Sequence, residues 1–432
     1  MELINKIAYL PIEFKIREFY SKALLCSHLV SNGYQVIIGQ QWELYNQINH
    51  LPKGIFLFKS HNKIHHPAMD LAKKRGHITI ALEEESLALT TNKSFARNSP
   101  KELNQFIDFI LTSGKREKDF QDTVHHNNFI THVTGNPRAD VIKSKYIGLY
   151  TDEVNFIKSK FGDYYLINTN FAMTNSLMGD INQVAKIARA SGALKLEDED
   201  SINEFNEYFK WEIENRKGIY DIIMKLSNIS NKKIIIRPHP AENIEFIKEQ
   251  YKGIDRIYVI REGSHIPWTI ACKKLIHTSC TTGLEAALMG KEAFSYVPYD
   301  IWYSEILSNK VNKVFRTADE IVNAILNAED TNIQAKFKID IEEYLDNANK
   351  NSSILKIISL FNSFSFSEEK YNCTFTTNIT RQPFQINKCQ ISYNEIKNIL
   401  YKISNIDHLN FEDENVAINE VADSLFLIKK LD

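Results

Sequence analysis

No stretch of the 432-residue chain holds the ~20 consecutive apolar residues that a membrane-spanning helix needs. The opening residues, MELINKIAYLPIEFKIRE, carry charges throughout, so neither a signal peptide nor an N-terminal anchor is expected of them. Five cysteines (Cys26, Cys272, Cys280, Cys373 and Cys389) form no CxxC pair and are odd in number. That pattern speaks against a disulfide framework and for reduced thiols in a cytosolic protein. A strong excess of basic residues is missing too: the net charge is −2 and the pI about 6.7, which sets aside a general nucleic-acid binder. Neither GxxxxGK[ST] nor GxGxxG occurs, so neither a P-loop nor a dinucleotide fingerprint is available. His61 and His65 stand four apart with His66 adjacent, but no third and fourth ligand follows at metal spacing. The expectation is solvent-facing loop histidines and no metal site.

What is there is a soluble globular composition, 43% hydrophobic and 25% charged, in a chain long enough for two domains and an extension. Short β-branched or apolar runs at residues 7–10, 36–38, 55–58, 78–82, 109–112 and 130–133 read as strands separated by segments of helical length. A second cycle follows, with strands at 164–168, 234–236, 257–260, 275–277 and 293–297. Strands alternating with helices predict parallel sheets wound on both faces, with every βα loop on one edge. The expected fold class is therefore α/β with two Rossmann-like domains: residues 1–145, then 146–363 with a polar helical insertion at about 179–215, then an extension of unknown role over 364–432. The interdomain crossing is placed just after Thr134-Gly135-Asn136-Pro137-Arg138-Ala139-Asp140, whose Gly-Asn-Pro chemistry breaks regular structure.

Two βα loops of the second domain carry the sharpest signals. In KKIIIRPHPAE the strand ends in Arg237 and His239, a guanidinium and an imidazole on a backbone limited by two prolines. In LIHTSCTTGLEAA, Ser279, Thr281, Thr282 and Gly283 fall where a helix begins, so hydroxyls and unpaired N–H groups meet the positive end of a helix dipole. Together these suit a phosphate, although an ordinary Ser/Thr cap and a proline-kinked loop would look alike locally. Glu285, inside that helix, suits either a ribose diol or a solvated first-turn acid. In the first domain Glu83, Glu84 and Glu85 crowd the end of a buried-looking strand. Like charges this close raise one another's pKa and can make a proton-transferring carboxylate, and Glu84 is the favoured one. A solvated acidic helix start is the competing explanation. Glu13 and Arg17 after the first strand, and Asn168 and Asn170 after the first strand of the second domain, are candidates for an acceptor or cleft lining.

Taken in order, YLPIEFKIREFYSKALL, LPKGIFLFKS, ALEEES, TGNPRAD, IRPHPAEN and LIHTSCTTGLEAALMGK resemble the bacterial surface carbohydrate biosynthesis proteins. More distantly, they are similar to capsule-type Kdo transferases and to bacterial sialyltransferases with His-Pro motifs. The resemblance spans roughly residues 5–330 and leaves the tail uncovered. It implies a GT-B architecture, with the nucleotide mainly on the C-terminal domain and the acceptor mainly on the N-terminal one. It further implies a cytoplasmic, metal-independent glycosyltransferase of capsule or O-antigen assembly, without cofactor, using a CMP-activated acidic sugar and a glycan or lipid-linked acceptor. Peripheral contact with the inner face of the membrane is left open. By the same resemblance His239, Ser279, Thr281 and Thr282 would hold the CMP phosphate, Glu285 the ribose, and the Glu83–Glu85 loop would supply the catalytic carboxylate. A UDP-sugar transferase or UDP-N-acetylglucosamine 2-epimerase, and a non-catalytic scaffold, are the alternatives.

Overall fold

The structure, a computed structural model, describes all residues except 1, 5, 85, 100–104, 126–128, 191–193, 328–338, 367–369, 376–381 and 432. The chain forms two compact units: Met1–Leu149 together with Asp340–Asp432, and Tyr150–Ile339. Among the described residues no helix is long and apolar enough to cross a membrane.

The first unit begins with β1 (Glu2–Ile4), β2 (Ile7–Ile12), β3 (Gln35–Gln40), β4 (Ile55–Phe58), β5 (Ile78–Leu82), β6 (Phe109–Thr112) and β7 (Ile130–Val133). Strands β2 to β7 pair in parallel in the order β3-β2-β4-β5-β6-β7. All but the edge strand β7 are nearly continuous apolar runs, as sheets covered on both faces require: every residue of Ile55–Phe58 is fully buried. The helix Lys15–Ser31 makes the first crossover, burying Phe19, Ala23, Leu24, Cys26, Leu29 and Val30. The Phe, Leu and Val side chains among them each contribute about 1.5–3 kcal/mol of transfer free energy.

The second unit carries β8 (Tyr164–Asn168), β9 (Lys233–Arg237), β10 (Ile257–Val259), β11 (Lys274–His277), β12 (Ala293–Tyr296) and β13 (Lys313–Phe315). All pair in parallel, in the order β10-β9-β8-β11-β12-β13. Strand order reverses between β8 and β11. Such a reversal opens a crevice beyond the strands' carboxyl ends, the place where open α/β sheets bind ligands. The expected helical insertion has a different boundary. Helix Ile181–Ala190 buries no residue, but helix Glu199–Ile229 runs unbroken from an exposed acidic start into the core, where Trp211, Ile219, Ile222, Ile223 and Leu226 are buried. Its second half is the crossover from β8 to β9.

The C-terminal stretch is not a separate extension. After β14 (Lys370–Asn372), which pairs with β1, the strands β15 (Val416–Ala422) and β16 (Leu425–Lys430) form a hairpin that extends the first unit's sheet antiparallel to β3. The hairpin covers a parallel edge that would otherwise expose a row of unpaired backbone groups. Gly39 permits the approach: a Cβ there would stand 2.0 Å from the Ser424 carbonyl oxygen. The returning chain is also pinned to the GNPRAD segment. Asn347 accepts from Asn136 N–H at 2.9 Å and donates to the Asn136 carbonyl and Asp140 Oδ1, each at 2.9 Å.

Candidate functional site

The second unit places Asn168, Arg237 and His277 side by side at the ends of three adjacent strands. Asn168 stands at the reversal of strand order. Its side chain is buried, and neither amide atom hydrogen-bonds to any described residue. A buried amide without partners is costly, which marks the position for a ligand or water. Asn170, two residues on, donates to the Tyr303 hydroxyl at 3.1 Å.

Next to Asn168, His277 is fully buried, and burial pushes its imidazole down to about 3. After it the chain turns through Ser279, held at φ 48°, a left-handed conformation rare for a residue with a side chain. Such strain tends to concentrate at functional turns. Asn309 Nδ2 donates to the Ser279 hydroxyl at 2.8 Å. The helix Thr281–Leu288 then starts with Cys280 as N-cap and no capping side chain. Its first turn bears half-buried Thr281 and Thr282, and an N-terminus without a capping side chain offers backbone N–H groups of the kind that can hold anions. Gly283 lies against the His277 ring. Buried Glu285 meets His265, with Nε2 2.8 Å from Oε2, a partner that sequence reasoning did not foresee.

Arg237 departs from expectation. It is buried, and its guanidinium donates to three backbone carbonyls: Glu262 at 2.9 Å, Arg261 at 3.1 Å and Gly263 at 2.7 Å. Trp268 lies beneath it at 5.2 Å. The side chain anchors the 261–263 loop, and three of its N–H groups are committed there instead of facing a phosphate. His239 is exposed, with Nδ1 accepting the Ala241 N–H at 3.2 Å. Two buried carboxylates the sequence left unremarked organise these loops. Glu242 accepts from Thr169 Oγ1 and His239 N–H. Glu212, from the long helix, accepts from Met173 N–H at 2.9 Å and Thr174 N–H at 2.6 Å, and burial raises its carboxyl to about 7.

On the carboxyl edge of the first unit the predicted residues sit in a network of buried charge. Glu84 is buried and pairs through Oε1 with equally buried Lys22 at 2.7 Å, and its Oε2 has no hydrogen-bond partner among the described residues. Glu83 accepts from Ser60 Oγ. Neither is the solvated helix start that the sequence allowed. Glu85 lies outside the described residues. Glu13 meets Lys59 at 2.5 Å and Lys388 at 2.8 Å; burial alone would raise its carboxyl, but the two ammonium groups bring it to about 2. Arg17 covers the Phe14 ring at 4.7 Å and lies 3.8 Å from Glu18, whose carboxylate accepts the Glu13 and Phe14 N–H groups. Arg138 of the GNPRAD segment donates to the Glu84 carbonyl at 3.1 Å. His61 and His65 are buried rather than solvent-facing, and burial lowers the His61 imidazole to about 3. Among the described residues no group of three or more His, Cys, Asp or Glu could hold a metal ion.

The sequence matches no family model and no curated protein. Solved structures do resemble the fold. One is a candidate UDP-N-acetylglucosamine 2-epimerase from Listeria monocytogenes, 13% identical over 83% of this chain and 95% of that one, with a TM-score of 0.51. Another is the UDP-GlcNAc 2-epimerase from Methanocaldococcus jannaschii, 13% identical over 82% and 98%, TM-score 0.50. A third is the wall teichoic acid polymerase TagF, 12% identical over 83% and 89%, TM-score 0.43. At such identities the first two likenesses speak to the fold alone: two Rossmann-like units with parallel sheets, of the GT-B class.

Proposed function

We propose that the chain is a nucleotide-sugar-dependent glycosyltransferase of bacterial surface polysaccharide assembly. The observation that carries this reading is the switch point of the second unit, where the unpartnered Asn168 amide, the left-handed Ser279 and an uncapped helix start share one sheet edge. In this reading His239, Ser279, Thr281, Thr282 and the helix start at Gly283 hold the donor phosphate, where charge grows as the nucleotide departs. Glu285 takes the ribose diol in place of its contact with His265. Arg237 supports the neighbouring loop.

The donor assigned is a CMP-activated ulosonic or nonulosonic sugar, on the strength of the RPHP resemblance, and the acceptor a glycan or lipid-linked glycan. The acceptor side is assigned to the first unit, at Glu13 and Arg17, with Glu84 as the catalytic carboxylate through its unpartnered Oε2 and Glu83 beside it. A carboxylate of this kind deprotonates the attacking hydroxyl.

Isothermal titration with CMP, UDP and CDP, repeated on His239→Ala, tests the reading. CMP binding that the substitution abolishes supports it. UDP binding without CMP binding overturns the donor; turnover of UDP-GlcNAc with no acceptor present would make the protein an epimerase. No binding of any nucleotide would leave a scaffold.

A further inference from the structure

Glu242 takes no part in the contacts just assigned, yet it is wholly buried behind His239. Its Oε1 accepts from the Thr169 hydroxyl at 2.7 Å and from the His239 N–H at 2.8 Å, and its Oε2 lies 3.5 Å from Asn175 Nδ2. Thr169 and Asn175 belong to the loop after β8, and His239 to the loop after β9. One carboxylate therefore ties together two neighbouring loops on the ligand-binding edge. The backbone continues the tie: Asn243 N–H donates to the Asn175 carbonyl and Leu177 N–H to the Ala241 carbonyl, each at 2.8 Å, around a Ser176–Glu242 bridge. Arg261 completes the clamp by donating to the Glu242 carbonyl. Burying a carboxylate is expensive unless it is well partnered, and among the described residues the Glu242 carboxylate finds Thr169, Asn175 and the His239 N–H in these two loops.

The consequence falls on the imidazole. With the His239 N–H held inward, the turn brings the Ala241 N–H to Nδ1 at 3.2 Å. An Nδ1 that accepts a hydrogen bond places the proton of the neutral ring on Nε2. We propose that Glu242 is the positioning residue for His239, locking the His-Pro turn against the β8 loop so that an Nε2–H donor is presented to the departing phosphate. What Nε2 touches rests on the nucleotide-sugar reading; the clamp does not.

The test uses full-length protein labelled with 15N-histidine, as wild type, Glu242→Ala, Glu242→Gln and Thr169→Val. Two quantities are read: the His239 tautomer, from long-range proton–nitrogen correlation at alkaline pH, and the nucleotide affinity. Wild type is expected in the Nε2–H form, with Glu242→Ala relaxing toward the mixture of free imidazole and the isosteric Gln variant retaining the wild-type signature. Glu242→Ala should weaken nucleotide binding about tenfold in the wild-type background and less than about twofold in the His239→Ala background, because a residue acting through another is non-additive with it. Should Glu242→Ala fail to fold, Thr169→Val removes one donor to Oε1 while keeping its shape, and a smaller loss that vanishes with His239→Ala is expected. An unchanged tautomer in the folded Glu242→Ala or Thr169→Val protein, or equal losses in both backgrounds, overturns the proposal. If wild type binds no nucleotide, the nucleotide-sugar reading fails and the tautomer alone decides the clamp.

Discussion

Replacing Gly283 by alanine tests whether the helix Thr281–Leu288 must lie hard against β11. A Cβ at this position would stand 2.2 Å from His277 Nε2, 2.4 Å from Cε1 and 2.6 Å from Cδ2. The ring cannot swing away cheaply. It is fully buried, Cys280 N–H reaches its Nδ1 at 3.4 Å, and Asn312 Nδ2 lies 3.2 Å from its Nε2. Asn312 also donates to the Gly283 carbonyl at 2.9 Å, so the helix and the ring are held by the same amide. Relief requires the helix to retreat by about 1 Å to reach ordinary contact. Overpacking of this kind costs about 1–3 kcal/mol, and the better helix propensity of alanine returns about 1 kcal/mol. A net loss of up to about 2 kcal/mol follows, seen in calorimetry as a transition up to about 8 °C lower for a unit of this size. The retreat also carries Ser279 to Thr282 with it, so on the proposed function nucleotide affinity should fall in the same protein. In the His277→Ala background the added methyl has no ring to meet, and Gly283→Ala should there be neutral or stabilising. A Gly283→Ala change that shifts stability equally in the wild-type and His277→Ala backgrounds would refute close packing as the reason for this glycine.

Three further outcomes follow from buried charge. Lys22→Ala strands the Glu84 carboxylate in the core and should cost about 3–5 kcal/mol in urea unfolding, while Lys22→Met with Glu84→Gln recovers most of it; a loss below about 1 kcal/mol for the single variant would show that the pair is not a constraint. Burial raises Glu212 to about 7, so the folded state binds a proton that the unfolded state has released, and stability falls as pH rises through the interval from the ordinary carboxylate value to about 7. Glu212→Gln should therefore gain on wild type between pH 4.5 and pH 8 in paired urea titrations, and parallel curves would contradict the raised acid. Asp407 behaves oppositely: burial alone would raise it, but hydrogen bonds from His28, Lys145 and Tyr146 hold it down at about 2. Its contribution is present above the ordinary aspartate value and lost as pH falls through about 2, so Asp407→Asn should be less stable than wild type at pH 6 and converge with it in acid.

Much of the scaffold was legible because its causes are local. Strand β4 at Ile55–Phe58 and β5 at Ile78–Leu82 sit where the apolar runs put them, since a strand buried on both faces needs an unbroken β-branched or aromatic run. The polar ends of β9 and β11 likewise announced two loops on one edge. The long helix Glu199–Ile229 was misjudged because its polar beginning resembles an insertion, and only the sheet it crosses shows that its second half is core. The C-terminal hairpin was missed for a similar reason: β16 becomes a strand by pairing with β3, nearly four hundred residues away, and nothing nearby in the chain signals the partner.

At the site the division is sharper. Residue types and spacing by themselves determined that hydroxyls, a glycine and a helix start would follow β11, and that Arg237, Pro238 and His239 would leave β9 together. Which atoms those side chains spend on the protein was decided by the tertiary structure. Arg237 turned to the carbonyls of Glu262, Arg261 and Gly263, Glu84 to Lys22, Glu13 to Lys59 and Lys388, and Glu242 to the β8 loop. The reason is desolvation: a buried charge takes whatever partner the fold brings within reach, and that partner comes from another part of the chain, where no local pattern can name it.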